Sequence, residues 1–185
     1  MSHFTKITAE IRDLDVLKQA LKKMNLTLEK NTNCRYYYGA EVRENVIKLP
    51  GVYDVAVEAQ SDGTYALDAD FYEGHVAKYI GANGEELLRQ YSIEKLKKEA
   101  KNHGYKVYDK GNGILKILDT KRAGKIEIEC LPNGKIEIKT SEYKGKSCMN
   151  FEIIEKALGR IDSTKKTPEY YKSEKATAQV RMEVN

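Results

Sequence analysis

The stretch Tyr65–Val107, YALDADFYEGHVAKYIGANGEELLRQYSIEKLKKEAKNHGYKV, joins a strand, a helix and a second strand, and the rest of the chain can be hung on it. Asn83, followed three residues later by Glu86, supplies the helix start: a side-chain acceptor for the first free amides and a reciprocal capping box. Asn102, His103 and Gly104 supply its stop. Between them Leu87, Leu88 and Tyr91 point to one side while Ile93, Leu96 and Ala100 point to another. That stripe is too broad for a helix lying on a single surface, so this helix is predicted to be gripped on two sides.

Immediately upstream, two alternating runs flank Ser61, Asp62 and Gly63. A three-residue loop with Gly63 left-handed pairs Gln60 with Thr64. It sets Ala59 opposite Tyr65, Val57 opposite Leu67, Val55 opposite Ala69 and Tyr53 opposite Phe71, which makes one face wholly apolar. The other face receives Asp54, Glu58, Asp68 and Asp70. Downstream, Tyr105 to Asp109 and Ile114 to Asp119 read as a hairpin around Gly111, Asn112 and Gly113. After a short basic link, KIEIEC and KIEIKT flank Pro132, Asn133 and Gly134. The same loop rule sets Cys130 across from Ile136, Ile128 from Ile138 and Ile126 from Thr140. A covering helix is predicted from Ser147 to Leu158, stopping at Gly159.

At the front of the chain, HFTKITAEI alternates as a strand, Asp13 is placed to cap a helix carrying Leu14, Leu17, Leu21 and Met24, and Asn25 closes that helix. Between Leu26 and Leu49 the pattern is weaker and reads as three short strands, at LTLEK, at Tyr36 to Tyr38 and from Glu41 to Leu49. The predicted fold is α+β: an antiparallel sheet with helices packed on one side, extended by a C-terminal β-hairpin plus helix module. The predicted divisions are a main domain over 1–120, a hairpin-helix module over 121–172 and a mobile tail over 173–185.

A chain of 185 residues with 41% hydrophobic and 32% charged side chains has a globular composition, with Tyr as the main aromatic and Trp absent. The opening MSHFTKIT has no apolar signal region and no later run approaches a membrane span, so the expected location is cytoplasmic, with no membrane partner. Cys34, Cys130 and Cys148 are odd in number and widely spaced, which fits free thiols. The net charge of +4 falls entirely behind residue 120: residues 1 to 120 hold 18 basic and 18 acidic side chains, residues 121 to 185 hold 14 and 10. That bias is weaker than the dense patches of committed nucleic-acid binders.

Three constellations carry chemistry. Asp54, Asp68 and Asp70, with Glu73 and His75, have the oxygen donors of a cation site. The plainer reading is the wet face of a one-sided sheet, and no metal is expected. His3, His75 and His103 are scattered, which speaks against zinc. Lys144, Gly145, Lys146, Ser147 and Cys148 sit where a strand leads into a helix, so free amides and two lysines could hold a phosphate or carboxylate. A Walker motif would need Gly at position 140, where this chain has Thr140. Cys148 in that turn is favoured as thiolate but has no base near it in sequence, and packing under the hairpin explains it as well. Third, Arg35, Tyr36 and Tyr38 offer a stacking surface. Three adjacent tyrosines cannot share one strand face, so at least one of Tyr36 to Tyr38 is expected in the core.

MSHFT, RDLDVLKQAL, GVYDV, the Asp68 to Gly74 segment and LLRQYSIEKLKKEAKNHGY resemble the hypothetical chloroplast reading frame thirty-five family, or domain of unknown function twelve fifty-seven, over about residues 1 to 119. Phe71 and Tyr72 stand where that family has paired aromatics. IEIECLPNGKIEIKTSEYKGKSC, EKALGR and KKTPEYY resemble domain of unknown function twenty-nine ninety-seven over about residues 125 to 172. The resemblance implies no activity, catalytic residue or cofactor; family members tend to be encoded near AAA-type ATPases, which implies an adaptor role. The expected function is a non-catalytic accessory or adaptor protein binding a protein partner, such as an AAA-type ATPase, with homo-oligomers in scope. The alternative is a binder of a phosphorylated ligand or nucleic acid through the basic C-terminal module. An enzyme lacks a visible acid, base and nucleophile set.

Overall fold

The computed structural model describes residues 3–118, 125–132, 135–141 and 158–166. In chain order the elements begin with β1 (His3–Ala9), α1 (Leu14–Lys23), β2 (Thr27–Tyr36), β3 (Gly39–Lys48), β4 (Val55–Ala59) and β5 (Tyr65–Ala69). A 3-10 turn over Tyr72–Gly74 leads to the short α2 (Ala77–Ile80) and the long α3 (Glu85–Asn102). Then come β6 (Lys106–Asp109), β7 (Ile114–Leu118), β8 (Lys125–Cys130), β9 (Lys135–Ser141) and β10 (Gly159–Lys166).

Local chemistry starts and stops the helices. Asp13 caps α1, accepting from the amides of Asp15 at 3.1 Å and Val16 at 3.2 Å. Its other oxygen accepts from Lys98 Nζ at 2.7 Å, so one carboxylate both starts α1 and ties it to α3. The expected cap at Asn83 is not made. The N-cap of α3 is Gly84 at φ +78, and the Asn83 amide instead donates to Glu85 Oε2 at 2.8 Å. The left-handed φ at Gly84 favours glycine there, and a Cβ would also stand 2.9 Å from Leu67 Cδ1, so that side chain would have to shift. The stop is as read from the sequence, with His103 as C-cap and Gly104 at φ +73.

Two antiparallel sheets result, one of six strands in the order β10-β1-β9-β8-β7-β6 and one of four in the order β2-β3-β4-β5. The expected α+β architecture is thus observed, divided into two sheets with the helices packed alongside. Leu87 and Tyr91 of α3 belong to the core of the four-stranded sheet and α1, whereas Ile93, Leu96 and Ala100 belong to the core of the six-stranded sheet. Leu88 packs against both. Full burial of a leucine such as Leu87 on one side or Leu96 on the other contributes roughly 1.5–3 kcal/mol, so neither sheet can give up its share of α3 cheaply.

Both hairpin registers read from the sequence are observed. Ala59 pairs with Tyr65, Val57 with Leu67 and Val55 with Ala69, and the Gln60 amide donates to Thr64 O at 2.8 Å across a loop with Gly63 at φ +80. Cys130 pairs with Ile136, Ile128 with Ile138 and Ile126 with Thr140. Pairing of Tyr53 with Phe71 is not part of the ladder, because β4 starts at Val55.

Two readings are corrected. Residues 26–49 are not three short strands but one hairpin, whose Cα partners run from Thr27 with Lys48 to Tyr36 with Gly39. No strand is expected after the helix stop at Gly159, yet β10 occupies Gly159–Lys166. It is a strand whose main chain pairs with β1 although its side chains from Arg160 to Lys165 are exposed. Of the helix expected from Ser147 to Leu158, only Leu158 is among the described residues, and it is buried in the core of the six-stranded sheet. The tail over 173–185 lies outside them as well.

Candidate functional site

The hairpin of β2 and β3 does not lie flat. Six residues of straight strand would carry Asn33 about 20 Å beyond Thr27. Yet Asn33 O accepts from Lys48 Nζ at 2.9 Å, and Lys48 is the Cα partner of Thr27. The bend sits at Asn31, whose φ of +48 lies in the left-handed region that asparagine tolerates better than most residues. Beyond it the distal half of the hairpin folds back over the outer face of its own sheet. Cys34 and Tyr36 come down on Val46 and Ala56, forming a small third core.

This fold-back decides the fate of the acidic face. Asp54 was expected in water with Asp68 and Asp70. Instead its side chain is fully buried and receives Arg35 Nε at 2.8 Å, Arg35 Nη2 at 2.6 Å, Lys48 Nζ at 2.8 Å and the Leu49 amide at 3.2 Å. Burial works against the charge, but the Arg35 and Lys48 hydrogen bonds outweigh it, and the Asp54 carboxyl is lowered to about 2. Asp68 accepts from Tyr36 Oη at 3.0 Å, Asp70 from the amides of Tyr37 and Tyr72, and Glu58 pairs with Arg43 at 3.2 Å. Asp54 is thus withdrawn from water, whereas Glu58, Asp68 and Asp70 anchor the folded-back hairpin while remaining partly exposed. Among the described residues no group of three or more His, Cys, Asp and Glu side chains is arranged to hold a metal ion.

At the tip, the three consecutive tyrosines part company. Tyr36 is 5% exposed, the core member that the sequence required. Burial, then Cys34 and Asp68 beside it, raise its phenol, which stays a neutral donor to Asp68. Tyr37 and Tyr38 form the turn itself, freed from strand alternation, and are 71% and 67% exposed. The Tyr38 ring stacks on Tyr36 with centroids 5.2 Å apart and planes 5° from parallel, and the Arg43 guanidinium lies 5.9 Å from the Tyr36 centroid. Tyr37 leans on Tyr72, 55% exposed, with centroids 5.5 Å apart. Tyr53 stands edge-on to His75 with centroids 5.2 Å apart.

The candidate site is thus an aromatic surface of Tyr37, Tyr38 and Tyr72 on a fixed base. Of the stacking trio named from the sequence, Tyr38 is in it, Tyr36 supports it from below and Arg35 is committed to Asp54. Tyr37 lies in the Tyr36 to Tyr38 run read from the sequence; Tyr72 was missed, because the fold-back that brings it to Tyr37 is a long-range event. Lys144, Gly145, Lys146, Ser147 and Cys148 lie outside the described residues.

A second concavity, about 400 Å³, lies between α3 and the turn of β6 and β7. Arg89 closes its floor by donating from Nε to Cys130 O at 3.0 Å. Gly113, at φ +81, passes so close that a Cβ there would stand 2.5 Å from Cys130 O and 2.9 Å from Arg89 Nε.

The fold and this surface define an α+β protein of two antiparallel sheets with an exposed aromatic hairpin tip. Its residues 126–171 match a family described as Protein of unknown function (DUF2997), as the second resemblance implied. No curated protein and no solved structure matches the chain. No described helix is long and apolar enough to cross a membrane.

Proposed function

We propose that the protein is a non-catalytic adaptor that holds a protein partner on the tyrosine tip of the folded-back hairpin. The observation that carries this reading is the joint exposure of Tyr37, Tyr38 and Tyr72 on an anchored base, because large aromatics left in water at one place contribute little to the fold and much to a contact. Their surroundings favour one partner chemistry. Glu41 and Asp68 act on Tyr38, and Asp70 and Glu73 act on the neighbouring Tyr53. Arg35 and Lys48 are engaged with Asp54 and Arg43 with Glu41, Glu58 and Asp68, so around the tip Asp54, Glu41, Glu58, Asp68, Asp70 and Glu73 outnumber these three cations. A phosphate-bearing ligand would meet repulsion at this surface; a protein segment of apolar and basic side chains would meet complementary groups. The resemblance of residues 1–119 to the hypothetical chloroplast reading frame thirty-five family makes an AAA-type ATPase the first partner to try.

The test is capture of partners by the full chain, followed by a titration of the purified partner against the wild type and the Tyr37→Ser/Tyr72→Ser variant. At least tenfold weaker binding by the variant, about 1.4 kcal/mol, at an unchanged melting temperature is the expected result. Equal binding by both proteins overturns the reading. So does capture of RNA or nucleotide that moderate salt releases, which would favour the basic segment Lys144–Cys148 instead.

A further inference from the structure

The family match covers residues 126–171, and β1 lies outside it. Yet β1 sits between two strands that lie inside it. Its Cα partners on one side run from His3 with Lys166 to Ala9 with Gly159, and on the other from Phe4 with Lys139 to Thr8 with Lys135. β9 and β10 are consequently parallel to each other and one strand apart. Among the described residues β10 has β1 as its only strand neighbour. Its side chains from Arg160 to Lys165 are exposed, so little apolar burial holds it in place. β9 is the opposite case: Ile136 and Ile138 are buried in the core, fixed on the other side by β8. The matched segment therefore supplies two walls around a slot, and the slot is filled by a strand from elsewhere whose main chain pairs with both.

We infer that β9 and β10 form a strand-accepting slot whose ligand is an extended segment with the β1 sequence, supplied in cis by His3–Ala9 and accepted equally from a second copy of the chain. Backbone ladders on both sides of the incoming segment supply affinity, and the buried face of β9 selects its alternation. The cis segment competes at an effective concentration on the order of millimolar, so the intact chain keeps its own strand and exchanges it only when that strand is weakened. β10 acts as the flap that closes over whichever strand arrives.

The experiment uses a fluorescent peptide of residues 2–11 and the full chain carrying Thr5→Pro and Ile7→Pro, which removes two amides from β1. The peptide is expected to bind this variant at least tenfold more tightly than it binds the unaltered chain, and to restore hydrogen-exchange protection to Gly159–Lys166. A peptide carrying the same two prolines is expected to do neither. If the variant does not fold alone, it is refolded from denaturant with and without the peptide, and recovery of the native circular dichroism only with the peptide is the supporting result. The inference is overturned if β10 amides stay protected in the variant without peptide. It is equally overturned if the peptide fails to bind or rescue, or if it protects amides other than those of β9 and β10.

Discussion

Arg35 and Asp54 hold each other from both ends: the guanidinium forks onto the two carboxylate oxygens at 2.8 and 2.6 Å, and the Asp54 amide donates back to Arg35 O at 2.9 Å. The pair is what fastens the distal half of the hairpin to the start of β4, and Lys48 completes the neutralisation from the other side. A fork of this kind fixes direction as well as distance, which a lysine in place of Arg35 would not do.

Acid should loosen this clasp in a defined window. The Asp54 carboxyl is lowered from its ordinary 3.8 to about 2 in the folded protein. Its contribution is fully present above the unfolded-state value and is lost as pH falls from about 4 through about 2, because the unfolded chain then binds the proton more readily. The contribution is of order 2 kcal/mol by linkage. Urea unfolding of the wild type between pH 6 and pH 2 should therefore show a loss that Asp54→Asn largely lacks. Asp54→Asn should also be less stable than the wild type at pH 7, since Arg35 and Lys48 then face a neutral amide. Parallel curves for the two proteins across this range would show that Asp54 does not govern acid stability.

The two glycines of the β6 and β7 turn should respond differently to alanine. Gly111 has φ +79 but open space around it, whereas Gly113 has φ +81 and the carbonyl of Cys130 in the way. Gly111→Ala should cost only the left-handed strain, about 1 kcal/mol. Gly113→Ala should cost clearly more, about 2–3 kcal/mol, because β8 or Arg89 must move. Equal shifts in the denaturation midpoint would mean that β8 gives way freely.

The two described thiols should be silent in the folded protein. Burial raises Cys130 to about 12 and raises Cys34 as well, and the thiolate is the reactive form. Alkylation at pH 8, followed by mass spectrometry, should label both at a rate set by opening of the structure and rising with denaturant. Rapid labelling of either without denaturant would contradict its burial.

What could be read in the sequence was what alternation and turn chemistry encode locally. Gly63 and the Pro132–Gly134 loop fix both hairpin registers, and the double stripe on α3 announces two surfaces before either is known. Asn83 is not the cap because the helix starts one residue later, at the left-handed Gly84, a backbone choice that the spacing of Asn83 and Glu86 does not encode. On the acidic face Asp54 alone departed from expectation, for the same kind of reason. Alternation correctly placed Glu58, Asp68 and Asp70 on one side, but it says nothing about a hairpin folding back over that side. Asn31, the residue that permits the bend, looks like any polar residue in a weak strand. β10 was hidden because its exposed side chains leave no hydrophobic period, and its place depends on main-chain partners 150 residues away in the chain.

The sharing of α3 between two cores has a consequence for how the molecule comes apart. A sheet that leaves takes with it the lining of one side of the helix, and the stripe it exposes includes Leu88, which also packs against the core of the other sheet. Neither half can melt first without stripping the survivor of its support. Heat should therefore reveal one transition rather than two, with the calorimetric and van't Hoff enthalpies in agreement, and a chain whose two larger hydrophobic cores share a helix should behave as a single cooperative unit.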